Sequence, residues 1–315
     1  MPSFSTAAVA AITAERDGLQ RVDLDNGRRA YVLTQLIGPV AVGDRVVVNS
    51  TAMDLGLGTG GWDVVHWNLS RDGWSQAGGG HVLKLRYTSL QVDTGVAEEH
   101  EPERREDLGG TPVVVCDVHS QLAAVAVGFA DAAAGRRLSY VMTDSAALPL
   151  VLSDMVAELR TRNLLCETIT CGQAFGGDRE AVSMPSALLL ARGDVIVVAP
   201  GPGVVGTGTR LGFGSIEMAA VIDVAAALGG RAVVAVRYSG ADSRPRHRGR
   251  SHHTDAVLGL ASTQAAAPVP PDGWAGPVVP FPATTMGRAQ AEDPDFFRYA
   301  AWAGTVAARL VSAEA

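Results

Sequence analysis

Residues 242–255, DSRPRHRGRSHHTD, form the densest run of chemically capable side chains in the chain. Four arginines, three of the seven histidines and two aspartates fall within it. Arginine presents a planar fork of donors that matches phosphate or carboxylate. Arg244, Arg246 and Arg248 are therefore candidates for holding an anion. His247, His252, His253 and Asp255 are residue types that ligate transition metals. Adjacent residues point apart in regular structure, however, and no HExxH spacing occurs. The anion site thus comes first and a metal-dependent hydrolase second. The plain structural alternative is an exposed basic loop that pairs with acidic neighbours.

A second candidate is the glycine-rich segment 201–214, GPGVVGTGTRLGFG. It follows an apolar strand and precedes a helix that Ser215 is expected to cap. Gly203, Gly206, Thr207, Gly208, Thr209 and Ser215 would offer backbone and hydroxyl donors to a phosphate or carboxylate. The spacing is neither GxGxxG nor a Walker A loop, and Glu217 would repel an anion. Residues 170–178, TCGQAFGGD, form a third such loop. There Asp178 and Glu180 could hold a cation or act as a base, and Cys171 could act as a nucleophile. Asp117 and His119, just past a continuous apolar run, are the first acid/base candidates.

These positions gain meaning from the elements expected to carry them. Beyond residue 110, apolar strands over 113–118, 138–143, 168–171, 194–199 and 232–238 alternate with helices over 121–134, 150–160, 184–192 and 216–228, before a terminal helix over 295–311. That alternation predicts a mostly parallel sheet with flanking helices. Ligands bind beyond the carboxyl ends of such strands. Residues 117–120, 143–145, 200–214 and 239–253 all fall there.

The first part of the chain reads differently. Short alternating runs over 29–36, 40–49, 62–69 and 81–90, cut by turn signals, predict a small all-β module over 1–97. The segment 5–15 reads as a short helix or a strand. The charged stretch 98–107 reads as a linker, and 110–315 as the α/β domain. Lys84 is the only lysine, and an 81–90 strand would place it beside Arg86, within reach of a common anion.

Composition excludes several classes. Hydrophobic content is 47% and charged content 19%, so the chain can bury a core and is not disordered. The net charge of -7 argues against nucleic acid and anionic membranes as partners. Three cysteines without a CxxC do not make a disulfide framework. No run resembles a membrane span or a basic leader, so the expected location is cytoplasmic. No cofactor can be named, and a homo-oligomer stays open.

The chain resembles the DUF3866 family, a bacterial group of uncharacterised function. The resemblance rests on GGGHVLKLRYTSLQ (78–91), DVHSQL (117–122), YVMTDSAALP (140–149), TITCGQAFGGDREAVSMPSAL (168–188), GPGVVGTGTRLGFGSIE (201–217) and RHRGRSHHT (246–254). It implies one coherent protein over nearly the whole length and carries no activity, cofactor or catalytic residue. Three readings follow. The chain binds or transforms a small anionic ligand, it is a metal-dependent hydrolase, or it is a non-catalytic oligomeric protein.

Overall fold

The computed structural model describes residues 1–57, 60–101 and 105–313. The chain divides into two compact units, Met1–Gly95 and Val96–Ala315.

The first unit is a closed five-stranded barrel. Its strands are β1 (Phe4–Arg16), β2 (Leu19–Leu24), β3 (Arg29–Leu33), β4 (Arg45–Asn49) and β5 (Asp63–Asn68), in the order β1-β2-β3-β5-β4. Single-turn helices α1 (Thr34–Ile37) and α2 (Thr51–Asp54) precede and follow β4. Segment 5–15 is a strand. Its first half pairs with β4 and its second half with β2, with register shifts between Val9 and Ala11 and between Ile12 and Ala14. Such irregularities bend a strand so that it can close a barrel. Alternate residues, among them Val22, Ala30, Val32, Val46 and Val48, fill the interior.

The expected strand over 81–90 does not form. Only Leu83–Lys84 (β6) pairs, with Val92–Asp93 (β7), and Leu85 and Tyr87 adopt positive φ. Positive φ breaks the pleat, so the alternation does not set side-chain direction there. Lys84 is buried and Arg86 exposed, so the two do not share a face as the strand reading required.

The second unit is a six-stranded parallel sheet with helices on both faces. Its strands are β8 (Pro112–Cys116), β9 (Leu138–Thr143), β10 (Glu167–Cys171), β11 (Arg179–Ala181), β12 (Val195–Pro200) and β13 (Arg231–Ala235), in the order β11-β10-β9-β12-β8-β13. Side chains alternate between two cores. Val114, Tyr140, Met142, Val197 and Ala235 face α3 (Gln121–Ala132), α4 (Asp154–Thr161) and α8 (Pro294–Ser312). Val115, Val141, Ile169, Val198 and Val234 face α5 (Met184–Leu190), α6 (Met218–Ala227) and α7 (His252–Leu260). Between β13 and α7 lies the short antiparallel pair β14 (Tyr238–Ser239) and β15 (Gly249–Arg250).

Helix starts follow side-chain caps. Ser153 Oγ accepts from Val156 N–H before α4, and Ser251 Oγ accepts from His253 N–H before α7. Ser215 does not cap α6. A 3-10 turn over Gly214–Glu217 comes first, and the Ser215 side chain is buried without a hydrogen-bond partner among the described residues. The charged stretch 98–107 is no free linker either, because its described part is docked on the α/β unit. Glu98 accepts from Val182 N–H and Ser186 Oγ–H, and Glu101 pairs with Arg179 and Arg192.

Candidate functional site

Four segments at the carboxyl edge of the parallel sheet build the site: the residue after β8, the loop after β12, the residues after β13, and the turn leading into α7. Asp117 follows the last residue of β8 and is wholly buried. Its Oδ2 accepts from Thr254 Oγ at 2.5 Å, while Oδ1 has no hydrogen-bond partner among the described residues. Burial raises its carboxyl to about 6, against the opposing pull of the Thr254 hydrogen bond and then of Arg237. Thr254 Oγ in turn accepts from Arg237 N–H at 3.1 Å, so the first turn of α7 is tied to the ends of both β8 and β13.

The guanidinium of buried Arg237 donates to His253 Nδ1 at 3.1 Å. Arginine has no acceptor, so His253 Nδ1 accepts and the neutral ring carries its proton on Nε2. The His253 ring lies flat on Phe213, with centroids 3.7 Å apart and an interplanar angle of 4°. Phe213 closes the glycine-rich loop, and Gly206, paired with it across the loop, also lies against His253.

His247, His252 and His253 come together here. One ring nitrogen from each lies within 4.8 Å of the others. Ring centroids are 5.0 Å apart for His247 and His252, 4.8 Å for His247 and His253, and 4.5 Å for His252 and His253. The objection that adjacent histidines diverge holds inside a regular element. At the helix start, Ser251 turns the chain, and the preceding 3-10 turn brings His247 back over the pair. His247 Nδ1 sits 2.8 Å from Ser251 Oγ, the oxygen that caps the helix. His252 Nε2 is buried with no hydrogen-bond partner among the described residues.

All three imidazoles are less basic than a free histidine. Burial is the first cause, and the positive charges of Arg237 and, for His247 and His253, Arg244 add to it; His247 and His253 are each depressed to about 3. Neutral imidazole is the form that ligates metals. Arg244 itself is engaged, since its fork grips buried Asp242 at 2.9 and 2.8 Å and holds that carboxyl well below its usual range. Arg288 bridges Asp242 at 3.4 Å and Asp293 at 3.0 Å, and Asp293 also accepts from Ser239 at 2.6 Å.

The other residues singled out in the sequence take varied positions. Arg246 is exposed near His252 and contributes to its depressed basicity. Arg248 Nε donates to the Asp242 carbonyl at 3.2 Å. Asp255 lies outside the histidine group, on an exposed face, paired with Arg250 at 2.7 Å. Gly203, Thr207, Gly208 and Thr209 belong to an exposed hairpin whose tip is held by its own threonine hydroxyls, 2.9 Å apart. His119 is buried away from this group. Its Nδ1 donates to the Pro200 carbonyl at 3.1 Å, and its Nε2 lies 2.7 Å from Ser153 Oγ. Asp178 accepts from Thr168 N–H and Oγ–H and pairs with Arg160 at 2.5 Å. Lys84 is a buried residue of the barrel unit.

Sequence reasoning missed Arg237, Phe213, Arg288 and Asp293. Arg237, a charged residue near the end of the apolar run 232–238, was the legible signal. The other three are ordinary residues until the fold brings them in.

Fold and site together define an α/β protein with a buried histidine cluster at the carboxyl edge of a parallel sheet. The chain belongs to the family described as Protein of unknown function (DUF3866), whose model matches residues 29–274. That span includes β8 to β15, α7 and the whole histidine cluster. No curated protein matches the chain. Among the described residues, no helix is long and apolar enough to cross a membrane.

Proposed function

We propose that the chain binds a divalent transition-metal ion through His247, His252 and His253 and uses it on a small anionic substrate. The convergence of three imidazoles within 4.8 Å carries this reading. A zinc-class ion bonded to nitrogen at about 2.0–2.1 Å needs ligand atoms about 3.3 Å apart in tetrahedral geometry. The rings therefore close by roughly an ångström on loading, a side-chain motion. Three protein ligands leave one position open for water, which a metal ion turns into a nucleophile near neutral pH. The glycine-rich hairpin beside His253 and the exposed Arg246 beside His252 border that position, and Arg246 suits a phosphate or carboxylate group.

One observation favours a second reading. Arg237 fixes the His253 proton on Nε2, which makes that nitrogen a donor. A metal takes Nε2 only if that proton moves to Nδ1 and the Arg237 contact is broken, whereas an anion accepts from Nε2–H directly. The two readings respond oppositely to Arg237→Met. Losing a buried positive charge strengthens metal binding and weakens anion binding. Calorimetric titration of the untagged protein and this variant with zinc, and separately with inorganic phosphate, tests both. The proposal expects stoichiometric zinc binding, lost in His252→Ala and tighter in Arg237→Met. Absence of zinc binding, with phosphate binding that Arg237→Met abolishes, overturns it in favour of the anion site.

A further inference from the structure

The barrel carries a cluster that the strand-end site does not use. Its strands run in the order β1-β2-β3-β5-β4 and close, with β3 and β5 parallel and α1 between β3 and β4. This is the connectivity of the OB barrel, whose β2–β3 face binds oligonucleotides and oligosaccharides. Val22, Ala30 and Val32 point into the barrel and are fully buried, so Arg21, Arg29 and Tyr31 lie on its outer face. Arg21 and Tyr31 are direct cross-strand partners. Tyr31 stacks on Trp62, with centroids 4.9 Å apart and an angle of 22°. The Arg29 guanidinium lies 4.5 Å from the Trp62 ring, and that of Arg21 lies 5.6 and 5.7 Å from Tyr31 and Trp62. Arg29 is exposed and makes no ion pair among the described residues, while Tyr31 and Trp62 are half-buried.

We infer that this face binds single-stranded nucleic acid. Aromatic planes accept any base by stacking, and flanking arginines meet the phosphates. Two guanidiniums on the stack select a polyanion over a neutral saccharide. Asp23, opposite Arg29 in register, bounds the basic stripe on that side. The acidic chain, at -7, gives no long-range steering, so the sequence-level exclusion of nucleic acid speaks to electrostatic recruitment and not to short-range stacking.

Fluorescence anisotropy of the full chain with a labelled oligothymidylate of about 12 nucleotides tests this, a length within the span of one OB barrel. The phosphate contact of exposed Arg29 predicts a log–log salt slope of about -0.7, at about -0.7 per contact on single strands. Arg29→Gln should remove most of that slope. Trp62→Ala should weaken binding about tenfold, the effect of losing one stacked base. Because Trp62 is half-buried, the exposed Arg29→Gln variant keeps the test independent of folding. Lack of saturable binding overturns the inference. So does binding that neither variant changes, or tighter binding of a neutral oligosaccharide than of oligothymidylate.

Discussion

Replacing His119 with leucine separates a structural histidine from an acid/base one. His119 is held down to about 4, with burial as the main cause. An unfolded histidine titrates near 6.5. The folded state therefore binds fewer protons than the unfolded state between these values, and stability falls as pH falls through that window. From pH 7 to 4.5 this single group removes about 2 kcal/mol of unfolding free energy. At neutral pH the leucine variant is less stable, because the buried Ser153 hydroxyl loses its His119 acceptor, at about 1–3 kcal/mol for a group left unsatisfied, whereas the Pro200 carbonyl keeps the Tyr140 hydroxyl. The gap between wild type and variant should then narrow by about 2 kcal/mol on acidification. Urea unfolding followed by the helical circular dichroism signal reads the α/β unit, since the two α-helices of the barrel are single turns. His247 and His253 contribute to the acid limb of both proteins and cancel in the difference. A gap that stays constant from pH 7 to 4.5 refutes the argument and returns His119 to the acid/base candidates.

Two further predictions concern how the α/β unit is held. Gly128→Ala should destabilise it by about 2 kcal/mol or more in urea, because the added carbon would lie 2.1 Å from the Ala301 carbonyl where α3 meets α8. Ser251→Ala should cost about 1 kcal/mol by removing the cap of α7, and should weaken metal binding as the His247 contact is lost, measured by the same unfolding assay and by zinc calorimetry.

Much of the α/β unit was legible because its signals are local. Continuous apolar strands such as 112–116 can only be buried, and Ser183 before Met184-Pro185 starts a helix where one forms. Alternation failed over 81–90, where positive φ at Leu85 and Tyr87 interrupts the pleat and nothing in the composition signals it. The segment 98–107 looked like a linker because it is charged, yet Glu98 and Glu101 have partners distant in sequence. The site followed the same pattern. The run 242–255 named the three histidines, and the strand-end rule placed Asp117 near them. Sequence could not show that Arg244 is consumed by Asp242, or that Arg237 and Phe213 fix the plane and proton of His253. The first depends on the local turn over 242–244, and the second on the fold bringing separate loops together at one edge of the sheet.

The most direct test of the central claim is the visible absorption spectrum of the untagged protein titrated with cobalt(II). The account predicts intense d–d bands of a four- or five-coordinate ion, saturating at one equivalent, displaced by zinc and absent from His252→Ala. A spectrum no stronger than that of the hexaaqua ion, in a folded protein, would contradict the three-histidine metal site.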